Sequence, residues 1–163
     1  MIALAATFAD RGVDWVVAGS TGRALAGFAV TPRDLDVEVD EGSVHRAAAA
    51  AGLRAAREAD ASIASVRARG TWHGVELDVS GGLTLHGPGG SLAPDFALLR
   101  GSAKPVDVGG RTVWVAPVEE QIARSLVAGD ERQLDRIAEE RPGGFEVDDL
   151  YLAARLAAAS ASR

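Results

Sequence analysis

The sequence predicts an α+β protein with a small, mixed and twisted β-sheet that is flanked by helices and followed by C-terminal helices. Strand patterns surround a short helical pattern near the N-terminus, two later segments have the pattern of β-hairpins, and the end of the 163-residue chain carries helical patterns. A chain of this length usually forms one domain. We therefore expect residues 1–116 to form the core, with residues 117–163 as a helical segment packed on it in one compact unit.

The composition narrows the class of protein. Hydrophobic residues make up 47% of the chain, enough for a sizeable core, and the lack of cysteine excludes disulfides and thiolate metal sites. A net charge of −6 argues against nonspecific nucleic-acid binding and is compatible with a small cationic substrate. No apolar run approaches the ~20 residues of a membrane span, and residues 1–8 lack the basic flank of a signal peptide. We expect a cytoplasmic protein with no membrane partner.

The N-terminal third predicts a helix followed by a strand–turn–helix–strand unit. Apolar residues at helical spacing over 2–10 predict the first helix, which Gly12 ends. A strand over residues 15–18, a turn at Gly19-Ser20 and a short helix over 21–26 lead to a second strand at 34–39.

The second strand carries an Asp-x-Asp pattern. Because successive residues of a strand point to opposite faces, Asp34 and Asp36 share the face opposite the apolar residues Leu35 and Val37. Two carboxylates at this spacing repel each other, and a divalent cation such as Mg²⁺ would relieve the repulsion. A lone Asp-x-Asp is more often a solvated strand face, but its position after a glycine turn, which lets backbone N–H groups approach a phosphate, favours a site.

A capped helix over 43–52 precedes a predicted hairpin, with arms at 63–69 and 71–79 and its turn at Gly70. Its second arm contains two further acids, Glu76 and Asp78. We prefer Asp78 as a third site carboxylate because we expect it to end its strand, where open sheets tend to place ligands.

Glycine-rich residues 80–91 follow, and they are interpreted as either a lid or a long connection. A second hairpin over 104–115 turns at Gly109-Gly110. Three helices are then expected: one with Pro117 at its first position, one capped by Asp130, and a terminal helix that begins at residues 148–150.

Gly19-Ser20, thirteen residues and then Asp34-Leu35-Asp36-Val37 resemble the signature of the DNA polymerase β-like nucleotidyltransferases. The length of this spacer is more similar to the antibiotic and type IV toxin branches of that superfamily than to its minimal antitoxin branch, which has a short spacer. The chain differs from the family at Val30, where relatives carry a basic residue, and at Ser125, where they carry lysine.

The resemblance implies a nucleotidyltransferase fold and transfer of a nucleoside monophosphate from an NTP, such as ATP, to an acceptor hydroxyl, with release of pyrophosphate. Two Mg²⁺ ions would be the cofactors. The implied roles are phosphate binding for Gly19 and Ser20, metal binding for Asp34, Asp36 and Asp78, and proton abstraction from the acceptor for Asp78. Arg23, Arg124 and Arg132 are the candidates to replace the lysine at the nucleotide phosphates.

Several alternatives stay open on the sequence alone. The acceptor is either a small molecule, such as an aminoglycoside-like polyol, or a macromolecule. A homodimer or a partner chain would complete a pocket that so small a domain leaves shallow. The missing lysine favours a catalytically impaired protein that binds a nucleotide or a partner, whereas the intact carboxylates favour an enzyme. A third alternative is an unrelated α/β domain with an accidental motif.

Overall fold

Eight strands form one mixed sheet with seven α-helices around it within residues 1–160, the part of the chain that the computed structural model describes. The helices are α1 (Ile2–Asp10), α2 (Gly19–Leu25), α3 (Val44–Ala50), α4 (Phe96–Gly101), α5 (Val118–Ala128), α6 (Glu131–Glu139) and α7 (Asp149–Ser160). The strands are β1 (Trp15–Val17), β2 (Asp34–Val39), β3 (Ala56–Ala59), β4 (Ile63–Trp72), β5 (Val75–Gly87), β6 (Gly90–Leu92), β7 (Lys104–Val108) and β8 (Arg111–Val115).

The strand order is β3-β4-β5-β2-β1-β8-β7, and β6 pairs with β5 beside this path. Two pairs, β2 with β5 and β1 with β8, are parallel, and the others are antiparallel. The predicted α+β class with a mixed sheet is therefore confirmed.

The two faces of the central strands differ in chemistry. Leu35, Val37, Leu77 and Val79 lie in the main core, which α1 and α3 help to form. The opposite face of β2 and β5 carries the acidic side chains, and α5 packs against β5. The alternation of each strand thus separates an apolar face from a polar one. No helix in residues 1–160 is both long and apolar enough to cross a bilayer.

The outer strands of the sheet are β3 and β7. All four residues of β3 are exposed, and they include Arg57 and Glu58. In β7, Lys104 and Pro105 are both exposed. Charged residues and proline are features by which natural sheets protect open edges from pairing with other chains.

The first hairpin turns at His73-Gly74, so the prediction of a turn at Gly70 was wrong. His73 and Gly74 have φ values of +48° and +80°, which a tight two-residue turn requires. Gly70 instead lies within β4 opposite Leu77. A Cβ atom at Gly70 would approach Leu53 Cδ2 to 2.6 Å, so this glycine makes room for a packed side chain.

Residues 80–91 are mainly strand, which corrects both interpretations of them, the lid and the long connection. β5 continues to Gly87 and pairs with β6, so Asp78 lies inside a strand and does not end it. A Cβ atom added to Gly81 would lie 2.6 Å from the carbonyl oxygen of Val39. A Cβ atom added to Gly87 would lie 2.1 Å from the carbonyl oxygen of Val127. These glycines permit close backbone packing.

The C-terminal helices follow the predicted order. The Asp130 carboxylate caps α6 by accepting from the Gln133 N–H at 3.1 Å. Pro117 was expected at the first helical position of α5 but is its N-cap, so the helix begins one residue later. Ser43 precedes α3, but its side chain makes no capping hydrogen bond. The short elements β3 and α4 were not predicted. The end of the predicted C-terminal segment, residues 161–163, lies outside the described residues.

Candidate active site

The parallel pairing of β2 with β5 brings the predicted carboxylates together. Asp36 is in register with Asp78, and Asp34 with Glu76. Residues in register on neighbouring strands share a face, so Asp34, Asp36 and Asp78 lie on one side of the sheet. Glu76, the rival for the third position, is exposed and accepts a hydrogen bond from Thr71 Oγ1 at 2.7 Å.

The Gly19-Ser20 segment forms the first turn of α2 and packs directly on these acids. Gly19 has φ +59°, and a Cβ atom there would lie 1.7 Å from Asp36 Oδ2. Ser20 Oγ donates to Asp34 Oδ1 at 3.4 Å, and Thr21 Oγ1 donates to the Asp34 carbonyl at 2.5 Å. The predicted juxtaposition of glycine turn and carboxylates is thus present in the structure.

The environment of Asp36 changes the pKa of its carboxyl group. Burial, followed by the charges of Asp34 and Asp78, raises the pKa of Asp36 from 3.8 to about 6. Within residues 1–160, no side chain donates a hydrogen bond to the Asp36 carboxylate. Hard oxygen ligands with uncompensated negative charge suit a divalent cation, so Asp34 and Asp36 fit Mg²⁺ chemically.

Asp78, by contrast, is held by two arginines of β4. Arg67 Nε donates to Asp78 Oδ1 at 3.0 Å, Arg67 Nη2 donates to Oδ2, and Arg69 Nε donates to Oδ2 at 3.1 Å. Arg69 also pairs with Glu58 at 3.1 Å. Across residues 1–160, no three Asp, Glu, His or Cys side chains form a ready-made metal site. Use of Asp78 as a ligand or base therefore competes with these arginine contacts.

A cleft of about 570 Å³ opens beside the carboxylates. Its acidic wall contains Asp34 and Asp36, and Gly19 and Ser20 also line it. Arg33 and Arg136 contribute positive charge. Such a cleft combines an acidic wall that suits a metal cation with arginine side chains that suit phosphate oxygens.

The three predicted nucleotide-binding arginines occupy different environments. Arg23 lines the cleft, but it is only 5% exposed and its guanidinium is bound to Glu140 and Gln121. Arg124 lines a smaller cavity of about 160 Å³ that shares Gly19 and Asp36 with the cleft. Arg132 is exposed on α6 and is not among the cleft residues. Their role in nucleotide binding stays a prediction.

Arg136 is a cleft residue that the sequence reasoning missed. One face of α6 and its C-cap lines the cleft through Gln133, Arg136 and Glu140. Their spacing of three and four residues is a helical signal that points to Arg136. Ser125, the position where relatives carry lysine, is 5% exposed and lies outside the cleft.

A buried charge network supports the strand that carries Asp36. Arg124 donates to both oxygens of Glu38 at 2.7 Å and to Glu120 at 2.9 Å, and Arg155 and Tyr151 of α7 also donate to Glu120. Burial alone would lower the pKa of Arg124, but the two carboxylates outweigh it and raise that pKa. This network joins β2, α5 and α7 through ionised groups.

Comparisons with known proteins bear on the fold. No protein-family model matches the chain, and no curated protein matches its sequence. A crystal structure from Thermotoga maritima, described as a "putative nucleotidyltransferase", is similar to it with a TM-score of 0.67 and 19% sequence identity. The similarity covers 88% of this chain and 93% of the Thermotoga chain. The two proteins share a fold, and the predicted nucleotidyltransferase fold is confirmed.

Proposed function

We propose that the protein is a Mg²⁺-dependent nucleotidyltransferase that transfers a nucleoside monophosphate from an NTP, such as ATP, to an acceptor hydroxyl. The observation that carries this proposal is the packing of Gly19 on Asp36, beside Asp34, in an arginine-lined cleft. The fold shared with the Thermotoga protein supports the same class of reaction.

In this proposal Asp34 and Asp36 would hold two Mg²⁺ ions, with Asp78 as a further ligand of one of them. These ions, when bound, would neutralise charge on the NTP phosphates and on the leaving pyrophosphate. Gly19 lets the start of α2 lie directly against the Asp36 carboxylate, because that carboxylate fills the space of a Cβ atom. Arg33 and Arg136 lie in the same cleft and provide charged donors for the phosphate oxygens.

Asp78 is the proposed acceptor of the hydroxyl proton. The acceptor oxygen forms a bond to the α-phosphorus, the bond from that phosphorus to pyrophosphate breaks, and the hydroxyl proton passes to Asp78. Arg67 and Arg69 make three hydrogen bonds to the Asp78 carboxylate, so the acceptor hydroxyl competes with these contacts for the remaining lone pair on Oδ1. The acceptor itself is proposed from the family resemblance: an aminoglycoside-like small molecule or a macromolecule, with a second copy or a partner chain completing the pocket.

A panel of α-labelled NTPs with Mg²⁺ and both acceptor classes tests the proposal. Wild type is compared with Asp34→Asn/Asp36→Asn, and Asp135→Asn, an exposed acid on α6, is the control. We expect label transfer and pyrophosphate release from wild type and the control, and loss of both in the double variant or in EDTA. Transfer that survives the double substitution would refute the assigned site.

A second candidate function is nucleotide or partner binding without turnover. The pairing of Asp78 with Arg67 and Arg69 favours it, because this carboxylate is already neutralised. Calorimetry with Mg²⁺ and a non-hydrolysable NTP separates the two functions. Tight binding with no transfer to any acceptor, unchanged in Arg67→Gln/Arg69→Gln, would establish the binding module over the enzyme.

A further inference from the structure

Gln121 of α5 lies between the glycine turn and Arg23. Its Nε2 donates to the Gly19 carbonyl at 3.1 Å, and its Oε1 accepts from Arg23 Nη1. The same side chain lines both the cleft and the smaller cavity beside Asp36. It is therefore placed to transmit the position of α5 to the turn that packs on the carboxylates.

Arg23 fixes which way the Gln121 amide points. A guanidinium has donors only, so the amide oxygen must face Arg23, and the NH₂ group is left to face the Gly19 carbonyl. Arg23 is itself immobilised, since its Nε and Nη2 bind the two oxygens of Glu140 at 2.5 and 3.0 Å. Arg23 and Glu140 are 5% and 9% exposed. A buried pair of this kind holds one geometry.

Hydrogen bonds to β2 also hold the turn, since Ser20 and Thr21 donate to Asp34 and the Ala18 N–H donates to the Asp36 carbonyl, but none of them involves Gly19 itself. Ala18 is the N-cap of α2 and provides no side-chain cap. Gly19 has a positive φ and the conformational freedom of a residue without Cβ. Among residues 1–160, Gln121 is the side chain that hydrogen-bonds to the Gly19 backbone.

We infer that Gln121 is a positioning residue, which holds the Gly19 turn in the conformation that receives the nucleotide phosphates. Arg23 and Glu140 act one step further back, by orienting Gln121. The effect on nucleotide binding rests on the proposed function, whereas the hydrogen bond from Gln121 to the turn is a property of the free protein. It also gives Arg23 a role through Gln121, in place of direct contact with a phosphate.

Hydrogen–deuterium exchange of the peptide that covers residues 18–22 tests the hold directly. Gln121→Ala removes both hydrogen bonds, whereas Gln121→Glu keeps an acceptor for Arg23 and loses the donor to Gly19. Gln133→Ala is the matched control, because Gln133 lines the same cleft and makes no hydrogen bond to Gly19. We expect exchange roughly 3- to 10-fold faster in both Gln121 variants, the effect of one net hydrogen bond, and no change in the control. If Gln121→Ala does not fold, Gln121→Glu decides the result.

Calorimetric binding of MgATP then tests the consequence. Faster exchange together with affinity weakened roughly 3- to 10-fold in the Gln121 variants supports the inference. Unchanged exchange overturns it, and so does faster exchange with unchanged affinity. Wild type that binds no MgATP or other Mg-NTP refutes the proposed function and with it the positioning role, and the exchange rates then show separately whether Gln121 holds the turn.

Discussion

At the scale of single residues, Gly19 has a role that a generic turn glycine does not have. Its α-carbon faces the Asp36 carboxylate so closely that a Cβ atom would overlap Oδ2. The dihedral angle alone does not distinguish it, since Gly12 has the same φ of +59° and open space around it. The chemistry of the site therefore depends on the absence of a side chain at position 19.

Gly19→Ala and Gly12→Ala form a matched pair that separates contact from backbone strain. Both place alanine at φ +59°, which costs about 1 kcal/mol of unfolding free energy. Gly19→Ala must also displace Asp36, so we expect an additional loss of about 1–3 kcal/mol. Urea unfolding of the two variants measures the difference. Equal losses would show that the contact with Asp36 is unimportant for stability.

Asp36→Asn is expected to stabilise the protein in a pH-dependent way. The folded-state pKa of Asp36 is raised to about 6 by burial and by Asp34 and Asp78, so the folded protein holds this proton more tightly than the unfolded chain. The resulting stabilisation is complete below pH 3.8 and is lost as the pH rises through 6. The asparagine avoids that loss, which predicts a gain of about 2–3 kcal/mol at pH 8 and little at pH 4.

Urea unfolding at the two pH values without Mg²⁺ checks this expectation, with Asp135→Asn as the exposed control. The same gain at pH 4 and pH 8 would contradict the assigned cause. Added Mg²⁺ should stabilise wild type more than the variant at pH 8, by preferential binding to the folded state.

Alternation predicted that Asp34 and Asp36 share a face, and the family resemblance implied that a third acid on a neighbouring strand would join them. Asp78 does so, although it was preferred because it was expected to end its strand. The sequence did not predict that Arg67 and Arg69 hold Asp78. Arg69 lies opposite Asp78 and Arg67 lies opposite Ser80, a register of β4 against β5 that the turn at His73-Gly74 sets. With the turn misplaced at Gly70, these two arginines could not be assigned to a partner.

At the scale of elements, α7 contributes charge compensation as well as apolar packing. Its Arg155 donates to both oxygens of Glu120, and Tyr151 donates to one of them. Burial would raise the pKa of Glu120, but the charges of Arg124 and Arg155 and the hydrogen bonds from Arg155 and Tyr151 lower it. The strand that carries Asp36 is thus connected to α7 through α5 and Arg124.

Arg155→Met is expected to cost about 3–5 kcal/mol of unfolding free energy, because it leaves the buried Glu120 with less compensation. Arg57→Met is the control: it breaks an exposed pair with Glu41 and should cost below about 1 kcal/mol. Denaturant unfolding compares the two. Glu120→Gln combined with Arg155→Met should recover part of the loss, and a double variant that is no more stable than Arg155→Met would argue against the charge explanation.

At the scale of the whole molecule, the C-terminal helices pack on the sheet through apolar and polar contacts. A hydrophobic cluster separate from the main core joins Leu92 of β6 with Ala123 and Val127 of α5 and Ala159 of α7. The ionic network and the Gln121 contact add polar connections between the same regions. These contacts connect residues 1–116 with the helices of residues 117–160, and the single compact unit stays a prediction.

Unfolding should therefore be a single cooperative transition. Trp15, Trp72 and Trp114 all lie in residues 1–116, so tryptophan fluorescence reports that part alone. Far-UV circular dichroism also detects the helices of residues 117–163. We expect the two denaturation curves to coincide, and helical signal that disappears at a lower denaturant concentration would show that the C-terminal segment unfolds separately.

The fold class could be predicted because strand alternation, turn glycines and helix caps are local signals. Long-range packing limited the prediction elsewhere. Residues 80–91 look flexible by composition, yet their glycines make room for the backbones of β2 and α5. β3 was missed because all four of its residues are exposed, which leaves no alternation to detect.

The two outer strands bear on how copies of this protein meet. β3 presents charged side chains at one edge of the sheet, and at the other Pro105 in β7 has no N–H to donate. Joining two copies through β7 would lose a ladder hydrogen bond at Pro105, and β3 offers only four exposed residues, whose charged side chains already pair with Glu41 and Arg69. A homodimer of this chain should therefore form through helical surfaces. The same two edges should also prevent the protein from assembling into fibrils at high concentration.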